Sequence, residues 1–219
     1  VACYKPIAAY RDAGGSIGFK HTKDCYDIQL PCGQCIGCRL EKSRQWAVRI
    51  LHEAQMHSEN SFVTLTYDER HLPAGGTLVR WHFTDFMKRL RSRIAPLRVR
   101  YFHCGEYGEE FSRPHYHAII FGFSFPDRVF HKEVHGERLY KSAFLADVWG
   151  HGFCSVGDVS FRSAGYVARY CMKKVNGDAA YDHYWFSDEV TGEVHRVEPE
   201  YATMSRRPGI GTSWFEKFG

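Results

Sequence analysis

The segment Arg113-Pro114-His115-Tyr116-His117-Ala118-Ile119-Ile120-Phe121 reads as a β-strand, because aromatic and β-branched residues dominate it and Pro114 stands near its start. Residues two apart in a strand leave the same face, so His115 and His117 project together, roughly 7 Å apart at their bases. That spacing suits one divalent ion held from one side, with coordination positions left open to a substrate. Both faces continue as apolar, with Ile119, Phe121 and Phe123 on one and Ala118 and Ile120 on the other, which puts the strand inside a sheet. Paired imidazoles are also ordinary polar members of a sheet, so neighbouring segments must supply the rest of any site.

Working outward, Phe62 to Tyr67 alternates as a strand and ends at Asp68, before a turn region with Pro73 and Gly75-Gly76. Phe83, Phe86, Leu90 and Ile94 recur at helical spacing, with Thr84 as N-cap and Pro96 as the stop. Val99 to Cys104 is the next strand, and His115 to Phe123 comes after it. Tyr140 to Trp149 reads as a helix ended by Gly150, and Phe153 to Phe161 contains a short strand broken at Gly157. Ser163 caps a helix running to about Val175. This order, β-α-β-β-α-β and one more helix, predicts an α+β fold of ferredoxin-like (split βαβ) order. Its sheet is antiparallel, with helices on one face and the other face free to carry a site.

The segment Cys104-Gly105-Glu106-Tyr107-Gly108 precedes the two histidines, and hairpin parity decides what it points at them. One parity brings Glu106 to the ion, with Phe102 and Cys104 on the same face and His103 turned away. The other offers His103. Glu106 is the expected third ligand, because a carboxylate suits Mg²⁺ or Mn²⁺ better than a third imidazole. Two histidines and a carboxylate with open positions also describe a non-haem iron site, although the basic surroundings favour a phosphate substrate. In the last helix Tyr166 and Tyr170 are four apart and share a face, with Lys173 on that face and Lys174 on its edge. A phenol of pKa about 10 is barely ionised at neutral pH, and a neighbouring ammonium favours the phenolate. Together these residues describe a metal-polarised phosphodiester attacked by tyrosine, giving a free 3′-OH and a 5′-phosphotyrosine.

The N-terminal 37 residues are turn-rich, and from Arg39 to about His57 the pattern turns helical. Between them Cys32, Cys35 and Cys38 form a Cys-x-x-Cys-x-x-Cys run within Pro31 to Arg39. Glycines there let thiolates converge, which suits a structural zinc one ligand short; Cys3 and Cys25 are both upstream candidates for the fourth. In a chain of 219 residues with eight cysteines, this spacing favours metal chemistry in a reducing cytoplasm over a disulfide scaffold. No run is long and apolar enough for a membrane span, and no signal peptide is recognised. A net charge of +4 decides little. Basic clusters at Arg39, Lys42, Arg44 and Arg49, at Lys88, Arg89, Arg91 and Arg93, at Arg162, Arg169, Lys173 and Lys174, and at Arg206-Arg207 are interleaved with aromatics, as nucleic-acid binders are.

The stretches Pro31–Arg39, Phe62–Tyr67, Gly105–Gly108, Arg113–Gly122 and Gly165–Lys174 resemble, in order and spacing, the HUH endonuclease superfamily, and more closely the replication initiators of gokushovirus-type microviruses. The resemblance implies a rolling-circle initiator that nicks single-stranded origin DNA with Mn²⁺ or Mg²⁺ and rejoins it by strand transfer. It makes His115 and His117 metal ligands, with the preceding carboxylate as the third. Tyr170 and Lys173 fall on the family's Tyr-x-x-Lys motif, with Tyr166 as the extra tyrosine. It also implies host replication proteins as partners, no membrane, no small-molecule substrate, and work in the cytoplasm of an infected bacterium. The chain then divides into a Cys-rich segment and helix (1–58), a nuclease core (59–176) and an aromatic and basic extension packed on that core (177–219). Within the superfamily, a relaxase or transposase is the alternative. A non-catalytic nucleic-acid module would need base-stacking motifs on the middle strands, and the basic-Gly-aromatic-Gly signature is missing.

Overall fold

The computed structural model describes residues 3–108, 112–170, 183–187 and 192–219. The chain forms two compact units, Val1–Gln45 and Trp46–Gly219. In the first, β1 (Ile7–Asp12) pairs antiparallel with both β2 (Ile17–Gly18) and β3 (Cys25–Leu30). The sequence shows only turns here because these strands are largely exposed and just Ala9 is buried, so no period of two marks them. Helix α1 (Ile36–Gln55) begins before Arg39, directly within the cysteine run.

The second unit is built on a seven-stranded antiparallel sheet. Its strands are β4 (Asn60–Thr66), β5 (Arg100–Tyr107), β6 (Pro114–Phe121), β7 (Val129–Val134), β8 (Glu137–Lys141), β9 (Cys154–Gly157) and β12 (Tyr201–Met204), in the order β12-β5-β6-β4-β9-β8-β7. A separate ribbon pairs β10 (Trp185–Ser187) with β11 (Val194–Arg196), the hairpin that the aromatic run at Tyr184 suggests. The α+β class and the antiparallel sheet are as the sequence predicts, and the His-x-His strand β6 is internal.

The sheet is wider than expected for two reasons. Glu137 to Lys141, whose last two residues belong to the expected helix, is instead strand β8, pairing with β7 and β9. Helix α3 (Ala143–Trp149) is correspondingly short, capped by Ser142, whose hydroxyl accepts from the Leu145 N–H at 3.0 Å, and closed by Gly150 at φ 69°. Tyr201–Met204 adds an edge strand from a region that reads as turns.

Two cap assignments also move. Helix α2 (Arg80–Ile94) starts after Val79, leaving Thr84 inside it, where its hydroxyl turns back toward the Arg80 carbonyl. Helix α4 (Phe161–Tyr170) starts ahead of Ser163; Ser160 and Ser163 cap it reciprocally, each hydroxyl accepting from the other's N–H at 3.1 and 2.8 Å. The expected continuation to Val175 lies outside the described residues.

Helices pack on both faces, not one. Phe83, Phe86, Met87 and Leu90 of α2, with Leu145, Val148 and Trp149 of α3, meet Val63, Leu65, Tyr116 and Ile120 on one side. On the other, Ala164, Val167 and Ala168 of α4, with Ala47 and Ile50, meet Phe102, Cys104, Ile119 and Phe121. The strand residues sort by parity, which is what burial on both faces of an internal strand demands. Arg89 joins α2 to α3 by donating to the carbonyls of Val148 and Trp149 at 2.8 and 2.9 Å, a cation on the negative end of a helix.

Candidate metal centre

The β5–β6 hairpin closes where Gly108 N–H donates to the Arg113 carbonyl at 3.0 Å, and its register sets Glu106 opposite His115 and Cys104 opposite His117. Glu106 therefore shares the histidine face. Its Oε1 lies 2.7 Å from His115 Nε2 and 2.9 Å from His117 Nε2, with the carboxylate almost wholly buried. His103, the alternative ligand, points to the opposite face. There it stacks on Phe83 with ring centroids 3.4 Å apart and hydrogen-bonds the Thr203 hydroxyl at 2.9 Å. Burial, with the nearby charges of His117 and Arg80, holds its pKa well below the ordinary range.

The hydrogen bonds around the triad fit a cation. His115 Nδ1 faces the Arg113 carbonyl at 3.0 Å; a carbonyl can only accept, so this nitrogen carries a proton and Nε2 points at Glu106. His117 Nδ1 is likewise held, by the Thr64 hydroxyl at 3.0 Å. Such outer partners orient metal-binding imidazoles. Two lone pairs at 2.7 Å need a positive charge between them, a proton or a metal ion. Burial pushes the Glu106 carboxyl up, but hydrogen bonds and charge from His115 and His117 more than offset it, so its pKa is lowered. Glu106, His115 and His117 place their donor atoms within 4.8 Å of one another.

Beside the triad, the Tyr166 ring stands perpendicular to that of His117, with centroids 5.0 Å apart, while Phe62 stacks flat on His117 at 5.6 Å. These residues line a cleft of about 490 Å³ with Thr64, Arg162 and Arg169. Tyr170 ends α4, but its side chain, like Lys173 and Lys174, falls outside the described residues.

Thr64 carries no signal of its own in the sequence, although period two in β4 sets it opposite His117. The hairpin Val129–Lys141, which lines the cleft through Val134, Glu137 and Leu139, is equally silent.

Among the described residues of the basic clusters, only Arg162 and Arg169 reach this cleft. Arg89 caps α3, Arg93 pairs with Asp147 at 2.6 Å, Arg44 pairs with Glu41 at 2.7 Å, and Arg49 donates to the Ile210 carbonyl at 3.0 Å.

In the N-terminal unit, Cys3, Cys32, Cys35 and Cys38 likewise gather their sulfurs within 4.8 Å. Cys3 and Cys35 are 3.8 Å apart, and Cys32 and Cys38 4.0 Å apart. Cys25 is instead bound to its own turn, with Thr22. The N–H groups of Tyr4, Cys32 and Cys35 point at the sulfurs of Cys35, Cys3 and Cys32 at 3.3 to 3.4 Å. Backbone N–H bonds at Cys38 and Tyr4 bring the Cys35 thiol down to about 6, whereas burial pushes Cys38 up to about 12.

Comparison with known proteins places the chain. The profile of the phage replication-associated protein ORF2 family matches residues 60–175, from β4 through the Tyr166 helix. The chain is 36% identical over 230 residues to replication-associated protein VP4 of Bdellovibrio phage phiMH2K, covering 99% of this chain and 68% of that protein. It is 32% identical over 239 residues to replication-associated protein ORF2 of Spiroplasma virus 4, covering 98% and 70%. With replication-associated protein ORF4 of Chlamydia phage 1 it shares 32% identity over 166 residues, covering 72% and 41%. No solved structure matches it at a significant level. No described helix is long and apolar enough to cross a membrane. A match over most of the sheet and the full set of candidate ligands makes this chain a member of the replication-associated protein ORF2 family, a phage Rep protein of the microvirus type.

Proposed function

We propose that this protein initiates rolling-circle replication as a metal-dependent HUH endonuclease, nicking single-stranded origin DNA and rejoining it by strand transfer in the cytoplasm of an infected bacterium, alongside host replication proteins. The carrying observation is the convergence of Glu106, His115 and His117 beside Tyr166 on one open cleft. The donor set, one carboxylate and two imidazoles, suits Mn²⁺ or Mg²⁺. Bound there, the ion supplies Lewis-acid polarisation of a phosphate.

The chain's own residues do the rest. A tyrosine oxygen attacks phosphorus as its proton leaves to solvent, the bond from phosphorus to the 3′ oxygen breaks, and that oxygen takes up a proton. The product is a 5′-phosphotyrosine and a free 3′-OH, and the ester conserves the energy needed for resealing. Tyr166 and Tyr170 both serve as nucleophiles, with Lys173 and Lys174 favouring phenolate. Incubation with labelled single-stranded origin DNA and Mn²⁺ should give a covalent adduct that EDTA abolishes. His117→Ala should lose the adduct yet still bind DNA, since phosphate contacts supply most affinity. Tyr166→Phe and Tyr170→Phe should each retain part of it. A free 5′-phosphate product would sink the proposal, and equal cutting by both single variants and the double variant would move the nucleophile elsewhere.

The four-cysteine cluster is proposed as a structural zinc site. A ZnS₄ tetrahedron built on bonds of about 2.3 Å has sulfur–sulfur edges of about 3.8 Å, matching the 3.8 and 4.0 Å separations. Metal analysis of purified protein should find zinc lost in Cys3→Ser and Cys35→Ser and kept in Cys25→Ser. Zinc retained by all three variants would refute it.

A further inference from the structure

The face of the sheet that carries His117 is only half covered. Helix α4 lies over β5 and β6, and among the described residues no helix covers the same face of β4, β9, β8 and β7. Strand pairing fixes what that open half presents. Thr64 and Thr66 stand opposite His117 and His115, and Ser155 opposite Thr64. Leu139 stands opposite Gly157, Lys132 opposite Leu139, and Lys141 opposite Val129.

Two cavities open along this face and adjoin at Thr64 and Leu139. The first, about 490 Å³, holds His117 and Tyr166; the second, about 690 Å³, is lined by Lys132, Lys141, Phe153 and Cys154. Their walls carry five fixed cations, Arg138, Arg162, Arg169, Lys132 and Lys141, against Glu137 and Asp158. Asp158 is paired with Arg128 at 2.9 Å, so the balance is more basic still. Phe153, in the second wall, is 73% exposed.

We propose that this open half-sheet is the track along which single-stranded DNA runs to the candidate metal centre. The hairpin of β7 and β8 forms its outer wall, Lys132 and Lys141 hold phosphates, and Phe153 stacks a base. A cationic groove with an exposed aromatic fits a single strand, whose unstacked bases offer a free π-face; a duplex keeps its bases stacked on one another. Continuity with the cleft at His117 gives the strand a destination. The inference rests on the nicking reading for its purpose, but not for its binding test.

That test is anisotropy of a labelled single-stranded oligonucleotide in EDTA, where no cutting occurs. Lys132→Glu/Lys141→Glu should bind at least tenfold more weakly, and the slope of log affinity against log salt should fall by about 1.4, two contacts at about 0.7 each. Phe153→Ala should lose about tenfold. Lys88→Glu/Lys217→Glu, the same charge change elsewhere, should stay within twofold. All these side chains are exposed, and circular dichroism checks the fold. Photocrosslinking of iodouracil-substituted DNA to the unaltered protein should yield peptides containing Phe153.

Unchanged affinity in the track variants, crosslinks confined elsewhere, or equal loss against duplex or RNA would overturn the proposal. If the unaltered protein binds along this track yet forms no adduct with Mn²⁺, the nicking reading fails alone. If the variants form adduct at unaltered affinity, the track fails alone.

Discussion

At the scale of single residues, the candidate centre depends on groups that never touch the ion. Thr64 hydrogen-bonds His117 Nδ1 at 3.0 Å and thereby fixes which nitrogen faces Glu106. Thr64→Val keeps the shape and removes that partner, so Mn²⁺ affinity measured by calorimetry should fall about 10- to 100-fold while the melting temperature hardly moves. An unchanged affinity would mean that ring orientation comes from Phe62 stacking alone. Gly105, between Cys104 and the ligand Glu106, is also constrained, since a Cβ there would come within 2.8 Å of the Tyr201 ring. Tyr201 is the partner of Gly105 across β12 and β5, so the edge strand presses directly on the backbone that carries the carboxylate.

Among elements, the return from α3 to β9 is the tightest join. Gly152 has φ +139°, and a Cβ there would sit 2.2 Å from the Asp68 nitrogen. The close approach lets Thr66 N–H donate to the Phe153 carbonyl at 2.8 Å and Asp68 N–H to the His151 carbonyl at 3.0 Å. Trp149, fully buried, adds a hydrogen bond from Nε1 to the Thr66 carbonyl at 2.7 Å. Gly152→Ala must strain this join, and denaturant titration should show a loss of roughly 2–4 kcal/mol. A loss below about 0.5 kcal/mol, the usual range for surface changes, would show that the join can open freely.

For the molecule as a whole, Glu53 ties the second half of α1 to β5 and to the C-terminal segment. Its carboxylate accepts from Arg100 at 2.6 Å and from the Gly211 N–H at 2.8 Å, with His57 at 3.2 Å, while Arg100 also donates to the Pro208 carbonyl at 2.7 Å. Burial pushes this carboxyl up, but the hydrogen bonds and the Arg100 charge outweigh it, and its pKa lies below the ordinary 4.5. A lowered folded pKa stabilises at pH above the unfolded value, and that contribution is lost as pH falls through the folded one. Stability should therefore decline below about pH 4.5. Glu53→Gln should cost about 2 kcal/mol at neutral pH and flatten that acid limb in melting curves; a parallel acid limb would place the titrating group elsewhere.

The amino-acid sequence by itself determined the features that local backbone periods set. His115 and His117 share a face because strands repeat every two residues, and Cys32, Cys35 and Cys38 converge because their spacing is short. The α+β class was equally legible in the alternation of β4 and the helical spacing of α2. Tertiary structure decided everything that joins distant segments. It selected Glu106 over His103 through hairpin register, and Cys3 over Cys25 as the neighbour of the cysteine run. It put helices on both faces of the sheet and turned Glu137–Lys141 into a strand beside the cleft. The physical reason is the same in each case. A local period is fixed by the geometry of a few bonds, whereas register and pairing are chosen by the packing of side chains far apart in the chain.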